Sequence, residues 1–254
     1  MGWLSRRFGL TIDNLLGVDI VTAEGRLVRA SAEEEPDLFW AVRGGGGNFG
    51  VVTTFRFRMH PLGPAISRRW AYPAADATDV LRRYREALSD APRELTTMVI
   101  LMRDELRMSA LWSGSTYDAE SALNRFGALG HATILSNGEM SYLELQRVSD
   151  ERLAWGRRYY SKGGFVREMD DQVILAMAES MATVPIPEAE VYCLQIGGAV
   201  CDVDESATPY SGRAASHFES QSAFGTIRPM IMTQFIGAEA QPIGLPRCLW
   251  RPIT

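Results

Sequence analysis

The stretch "RGGGGNFGVVTTFRF", residues 43–57, decides how the chain is read. Glycine loses more backbone freedom on folding than any other residue, so a run of four implies a sharp bend or a close approach. Gly45, Gly47 and Gly50 also fall at the G-x-G-x-x-G spacing of a dinucleotide fingerprint. A loop of that kind follows a strand and opens a helix, whose N-terminus receives the pyrophosphate. Here "SAEEEPDLFWAVRG" comes first, with acids ahead of Leu38, Phe39, Trp40 and Val42 and a glycine after them. That is the punctuation of a short helix begun by Pro36-Asp37. After the glycines, Val51, Thr53, Phe55 and Phe57 alternate with Val52, Thr54, Arg56 and Arg58, a period-two strand ended by Pro61. Helix, glycines, strand reverses the fingerprint's order, and the spacing match is accidental.

Working outward, "VDIVTAEGRLVRA" (residues 18–30) predicts two short strands about Ala23-Glu24-Gly25. Downstream, Pro61-Leu62-Gly63-Pro64 is a hinge and sets a domain boundary. Beyond it, "SRRWAYP" reads as a strand and "DATDVLRRYREALSDAP" as an amphipathic helix with Val80, Leu81, Tyr84 and Leu88 on one stripe. "LTTMVILMRDELRMSALWSG" reads as two strands joined near Arg103-Asp104-Glu105. "DAESALNRFGALG" and "SYLELQRVSDERLAWG" read as helices. A strand or turn around Gly163-Gly164, a helix over 170–182 and a strand in "EVYCLQIGGAV" follow. This succession predicts an α+β fold, an antiparallel sheet with helices on one face. The expected units are residues 1–63, residues 64–223 and an irregular tail at 224–254.

Hydrophobic residues make up 46% and charged residues 22%, an ordinary globular balance. A net charge of −5 offers no basic field to a nucleic-acid backbone, so no nucleic-acid partner is expected. Arg82, Arg83 and Arg85, and Arg157 and Arg158, lie in amphipathic stretches beside acids and read as solvated faces. Three cysteines without a C-x-x-C fit free thiols in a reducing compartment. His60, His131 and His217 lack metal-ligand spacing. No apolar run approaches the ~20 residues that span a membrane. Ser5-Arg6-Arg7 looks like part of a twin-arginine export signal, but Asp13, Asp19 and Glu24 occupy what should be its uncharged region. A cytoplasmic location is expected.

With these elements in place, a resemblance can be named. "GWLSRRFGLTIDNLLGVDIVTAEGRLVRAS" and then "DLFWAVRGGGGNFGVVTTFRFRMHP" look like the second half of a flavin-binding domain. The family is that of FAD-linked oxidases of the p-cresol methylhydroxylase and vanillyl-alcohol oxidase type, within it bacterial berberine-bridge-like oxidoreductases above all. The likeness is dense over residues 2–63. It thins over 64–215, where "YYSKGGFVREMDD" and "LQIGGAVCDVDESATPYSGR" resemble the family's substrate domain. It implies FAD held between two α+β subdomains by backbone groups, a task that suits glycine. By carry-over, Gly2, Trp3 and Leu4 match a loop beside the flavin and diphosphate. Asp13 and Asn14 would fix that loop, and Asn48, Phe49, Gly50 and Val51 match the turn and strand start near the nucleotide. Read from the residues alone, Trp3 and Leu4 fit a core, the glycine run a helix stop with a bulge, and Asn14 a turn.

The chain also departs from the family. Members carry an earlier subdomain with a flavin-linked histidine ahead of the Gly-Trp segment, and none of the three histidines here matches it. "SAFGTIRPMIMTQFIGAEAQPIGLPRCLWRPIT" lacks a period where an acidic segment should stand. A reading frame shifted by one base would restore aspartates across Met230-Ile231 and Met232-Thr233. The resemblance thus implies a fragment of an FAD-dependent oxidoreductase, expected to be inactive alone. Its hydride donor would be a small-molecule substrate (an alcohol, sugar or secondary metabolite) and its electron acceptor oxygen. The alternative is a non-catalytic product of a truncated gene that binds no cofactor. No catalytic residue is assigned, because Tyr159, Tyr160 and Glu168 fit packing or surface roles better.

Overall fold

A computed structural model describes residues 2–156, 158–183 and 188–225. The tail expected from residue 224 lies outside the described residues from 226 onward. Two sheets organise the rest. In the smaller, β1 (Leu15–Val21) pairs antiparallel with both β2 (Leu27–Ser31) and β3 (Val51–Phe57), in the order β2-β1-β3. The β1–β2 hairpin turns at Gly25, whose φ of 75° no β-branched residue tolerates. Between β2 and β3 the chain forms α2 (Pro36–Val42), which lays Phe39, Leu38 and Val42 on Leu15, Val18, Ile20 and Ala30.

The glycine run then carries the chain from α2 back to β3. Gly44 has a φ of 137°, and a side chain there would stand 2.9 Å from the Tyr210 amide. Gly50 has a φ of 143°, and a Cβ on it would overlap the Val21 carbonyl as β3 enters beside β1. These two glycines are required by the fold itself.

The larger sheet is antiparallel throughout. Its strands are β4 (Ala65–Pro73), β5 (Leu95–Leu101), β6 (Glu105–Trp112), β7 (Thr133–Met140), β8 (Arg158–Val166), β9 (Glu190–Gln195) and β10 (His217–Gly225), in the order β7-β4-β6-β5-β9-β10-β8. One face is covered by α3 (Ala77–Ala87), α4 (Ala119–Gly127) and α6 (Asp171–Thr183). Trp70, Tyr72, Val99, Leu106, Met108 and Val191 from the strands meet Val80, Leu81, Tyr84, Leu123, Phe126 and Ile174 from the helices there. Each large side chain buried this way stabilises the fold by about 1.5–3 kcal/mol against the entropy of ordering it. Arg82 and Arg85 reach from α3 to Asp171 at the start of α6, at 3.1 and 2.8 Å. Among the described residues no helix is long and apolar enough to cross a membrane.

One helix expected from the sequence is shorter than read, and one strand, β7, was not expected. The helix expected over "SYLELQRVSDERLAWG" is only α5 (Tyr142–Arg147), set by a capping box in which Glu144 accepts from the Ser141 amide at 2.7 Å. The chain then turns through 148–156. β7 had no alternating signature to find, because it is an edge strand exposed on both faces.

Candidate cofactor and substrate site

The 2–14 loop is stapled to the rest of the chain at each end. Gly2 donates to Ser5 Oγ at 2.8 Å, opening the single turn α1 (Ser5–Phe8), and Trp3 and Leu4 pack on Ala65, Leu111 and Leu145. Leu10 and Ile12 pack with Phe165, Phe218 and Tyr210. Asp13 accepts from the Leu10 amide at 2.8 Å and takes both terminal nitrogens of Arg213, at 2.6 and 3.0 Å. Asn14 donates to the carbonyls of Phe8 and Leu10 at 2.8 and 3.0 Å. Its Oδ1 lies 2.5 Å from Nε2 of His60, whose ring stacks on Phe8 with centroids 4.4 Å apart. The side chains of Asp13 and Asn14 are therefore engaged within the protein. They shape the loop, while Gly2, with nothing within 4 Å of where a Cβ would stand, leaves open space beside it.

The second group of expected residues lies at the other end of β1. Val51 pairs with Val21, and Phe57 with Leu15 just after Asn14, so the two groups are separated by the length of the strand, about 20 Å. Between them runs a cleft of about 200 Å³ lined by Leu15, Val18, Ile20, Val52 and Phe55, with Val42, Phe49 and Gly46, Gly47 and Gly50 at its rim. Asn48 is exposed, Phe49 packs into the α2 core, and Val51 lies on edge strand β3 outside the cleft lining. Sequence reasoning missed Leu15, Val18, Ile20 and Phe55. The available signal was a phenylalanine pair, Phe55 and Phe57, left exposed and stacked 5.8 Å apart on an edge strand.

The large sheet has a second face, opposite the helices. Register sets Arg107, Ile100, Tyr192, Ser220 and Gly163 side by side across β6, β5, β9, β10 and β8. The neighbouring row is Arg69, Ser109, Met98, Leu194, Phe218 and Phe165. This face mixes apolar side chains with a polar group on β8, β9 and β10. Ser161 Oγ lies 2.6 Å from Ser220 Oγ and 2.9 Å from Ser222 Oγ, and Arg152 donates to Glu190 at 2.7 Å. Burial pushes the Glu190 carboxyl above the usual carboxylate range, against the pull of Arg152 and Arg107. Burial likewise raises the Tyr192 hydroxyl. Trp3, Leu4, Leu10 and Ile12 stand on this face through Leu111, Ala65, Phe165 and Phe218. The 2–14 loop is thus one wall of it.

No family model matches the chain. An FAD-linked oxidoreductase of Dictyostelium discoideum is 27% identical over 232 residues, covering 90% of this chain and 51% of that protein. The xylooligosaccharide oxidase of Thermothelomyces thermophilus is 30% identical over 195 residues, covering 73% and 37%. The chain is a homologue of the FAD-linked oxidoreductases of the vanillyl-alcohol oxidase and berberine-bridge type. The solved structure of BBE-like 1 from Physcomitrella patens shares its fold, with a TM-score of 0.83 at 21% identity over 94% of this chain and 56% of that one. The chain spans 51% and 37% of the length of these two relatives.

The residues present fit part of the family's cofactor. A Cβ on Gly47 would project into open space at the cleft rim, so bare backbone is presented there, and the floor is apolar. That suits the face of one heteroaromatic ring system and is smaller than the ~300 Å³ and upward of pockets that enclose a whole ligand.

Proposed function

We propose that this chain forms part of an FAD-dependent oxidase. The glycine-rimmed cleft and the 2–14 loop would hold the cofactor, and the open face of the large sheet would hold a small polar substrate, an alcohol, a sugar or a secondary metabolite. The observation that carries this reading is the packing of Trp3, Leu4, Leu10 and Ile12 on apolar residues of this face, which makes the loop expected beside the flavin one wall of it. When bound, the flavin supplies acceptance of a hydride and its later return to oxygen. The protein's own part is to bind and orient. The accessible groups of Ser161, Ser222, Tyr192 and Arg152 would offer donors and acceptors to substrate hydroxyls, with the buried Ser220 and Glu190 holding Ser161 and Arg152 in place. The xylooligosaccharide oxidase among the relatives supports a carbohydrate within this class.

The test is to titrate the full chain with FAD and then with a short neutral oligosaccharide, following heat of binding. Saturable FAD binding, with sugar binding weakened about tenfold by Tyr192→Phe together with Ser161→Ala, supports the reading. A chain that binds neither is the non-catalytic alternative.

A further inference from the structure

Arg6 is only 7% exposed, and every hydrogen bond recorded for its guanidinium goes to backbone carbonyls. Nε donates to Leu95 O at 2.8 Å, Nη1 to Ile196 O at 2.6 Å, and Nη2 to Ala91 O and Pro92 O at 3.0 and 3.3 Å. The cage is formed by the start of β5, the residue after β9 and the turn leading into β5. Room for it depends on glycine. A Cβ on Gly197 would stand 2.9 Å from Arg6 Nη1, and one on Gly198 would overlap the Arg6 carbonyl. Burial lowers the Arg6 pKa from its usual value, since carbonyl dipoles only partly replace water.

His217 opens β10 opposite Gln195. It is 5% exposed, its Nδ1 lies 2.8 Å from Ser216 Oγ, and its Nε2 has no hydrogen-bond partner among the described residues. Register places His217 opposite Gln195, the residue before the Ile196 whose carbonyl accepts from Arg6 Nη1, and Tyr84 of α3 stands beside it with its ring centroid 6.2 Å away. Along the same strand face stand Glu219 on β10 and, opposite it, Cys193 on β9. Burial and then the Arg6 charge hold the imidazole neutral, with its pKa lowered to about 4.

We propose that Arg6 is a positioning residue, holding the 2–14 loop against the large sheet, and that protonation of His217 loosens this hold. The link to flavin rests on the functional reading above; the clamp itself does not. Carbonyl dipoles, not a carboxylate, hold the Arg6 guanidinium, so a second cation in this buried neighbourhood is repelled by an unneutralised like charge at low dielectric. Withdrawing α1 admits water to both groups. The closed loop therefore loses population as the medium acidifies below the ordinary histidine range.

The experiment is hydrogen exchange of the full chain at about pH 7.5 and about pH 5, corrected for intrinsic rates, on wild type, H217Q and R6K, with FAD affinity measured alongside. In wild type, protection of the 2–14 loop should fall about tenfold on acidification while β5 and β6 stay protected. H217Q should abolish that pH dependence, and R6K should leave the loop unprotected at both values, because an ammonium cannot fill the planar cage. FAD affinity should follow the loop. The same dependence retained in H217Q, or a fully protected loop in R6K, overturns the proposal. Wild type alone provides a check that needs no variant: the His217 imidazole resonance should titrate together with loop exchange, and an imidazole that stays neutral while the loop opens overturns it. A proton-linked loop in a chain that binds no FAD supports the clamp and counts against the functional reading only.

Discussion

Arg213 and Asp13, 200 residues apart in the chain, meet in a two-pronged ion pair whose side chains are 2% and 7% exposed. Arg213 also donates to Thr208 Oγ1 at 2.9 Å, so one guanidinium ties the 2–14 loop to the segment that leads into β10. Removing one member of such a pair strands the other charge without water, at a cost of about 3–5 kcal/mol. Asp13→Asn and Arg213→Met should each lower stability on that scale in urea unfolding. Asp13→Asn combined with Arg213→Met should cost less than the sum of the two single changes. Simple additivity would mean the pair does not couple the two segments.

Gly50 and Gly47 should part company when each becomes alanine. At Gly50 the new Cβ meets the Val21 carbonyl in a backbone conformation that L residues avoid, and a loss of more than about 1 kcal/mol is expected. At Gly47 nothing lies within 4 Å, so stability should stay within about 0.5 kcal/mol of wild type. FAD affinity should nevertheless fall about tenfold in Gly47→Ala, because the methyl group enters the cleft rim. Thermal unfolding and calorimetric titration of the two variants separate the fold's glycine from the ligand's.

His217 gives the protein an acid limb. Its folded pKa lies near 4, below the 6.5 of an exposed histidine, so the unfolded chain takes up the proton first as pH falls. The stability associated with the neutral ring is complete above about pH 6.5 and is lost toward pH 4, by about 1.4 kcal/mol per unit. Asp19, Asp171, Asp202 and Asp204, whose pKa values are lowered by hydrogen bonds, lose their contributions at still lower pH, below the carboxylate's ordinary 3.8. Stability measured across this window should decline in wild type and stay flatter in H217Q. Identical profiles would remove His217 as the source.

Much of this architecture was legible because its signals are local. The helix before the glycines and the period-two strand after them are written in adjacent residues, and so is the Val80, Leu81, Tyr84 stripe of α3. What the sequence hid depends on partners far along the chain. Nothing near Gly50 announces the Val21 carbonyl, and Arg6 reads as half of an export-signal pair until the carbonyls of Leu95 and Ile196 are seen around it. The cleft floor was missed for the same reason. Leu15, Val18 and Ile20 read as the buried side of a strand, and only the partial cover given by α2 leaves them lining a groove.

Whether the chain holds part of an FAD site is read most simply from the visible spectrum of FAD titrated with the purified full chain. A saturable perturbation of the flavin bands is expected, weaker in Gly47→Ala and unchanged in a surface variant such as Arg26→Ala. A spectrum that remains that of free FAD at every protein concentration would contradict the FAD site.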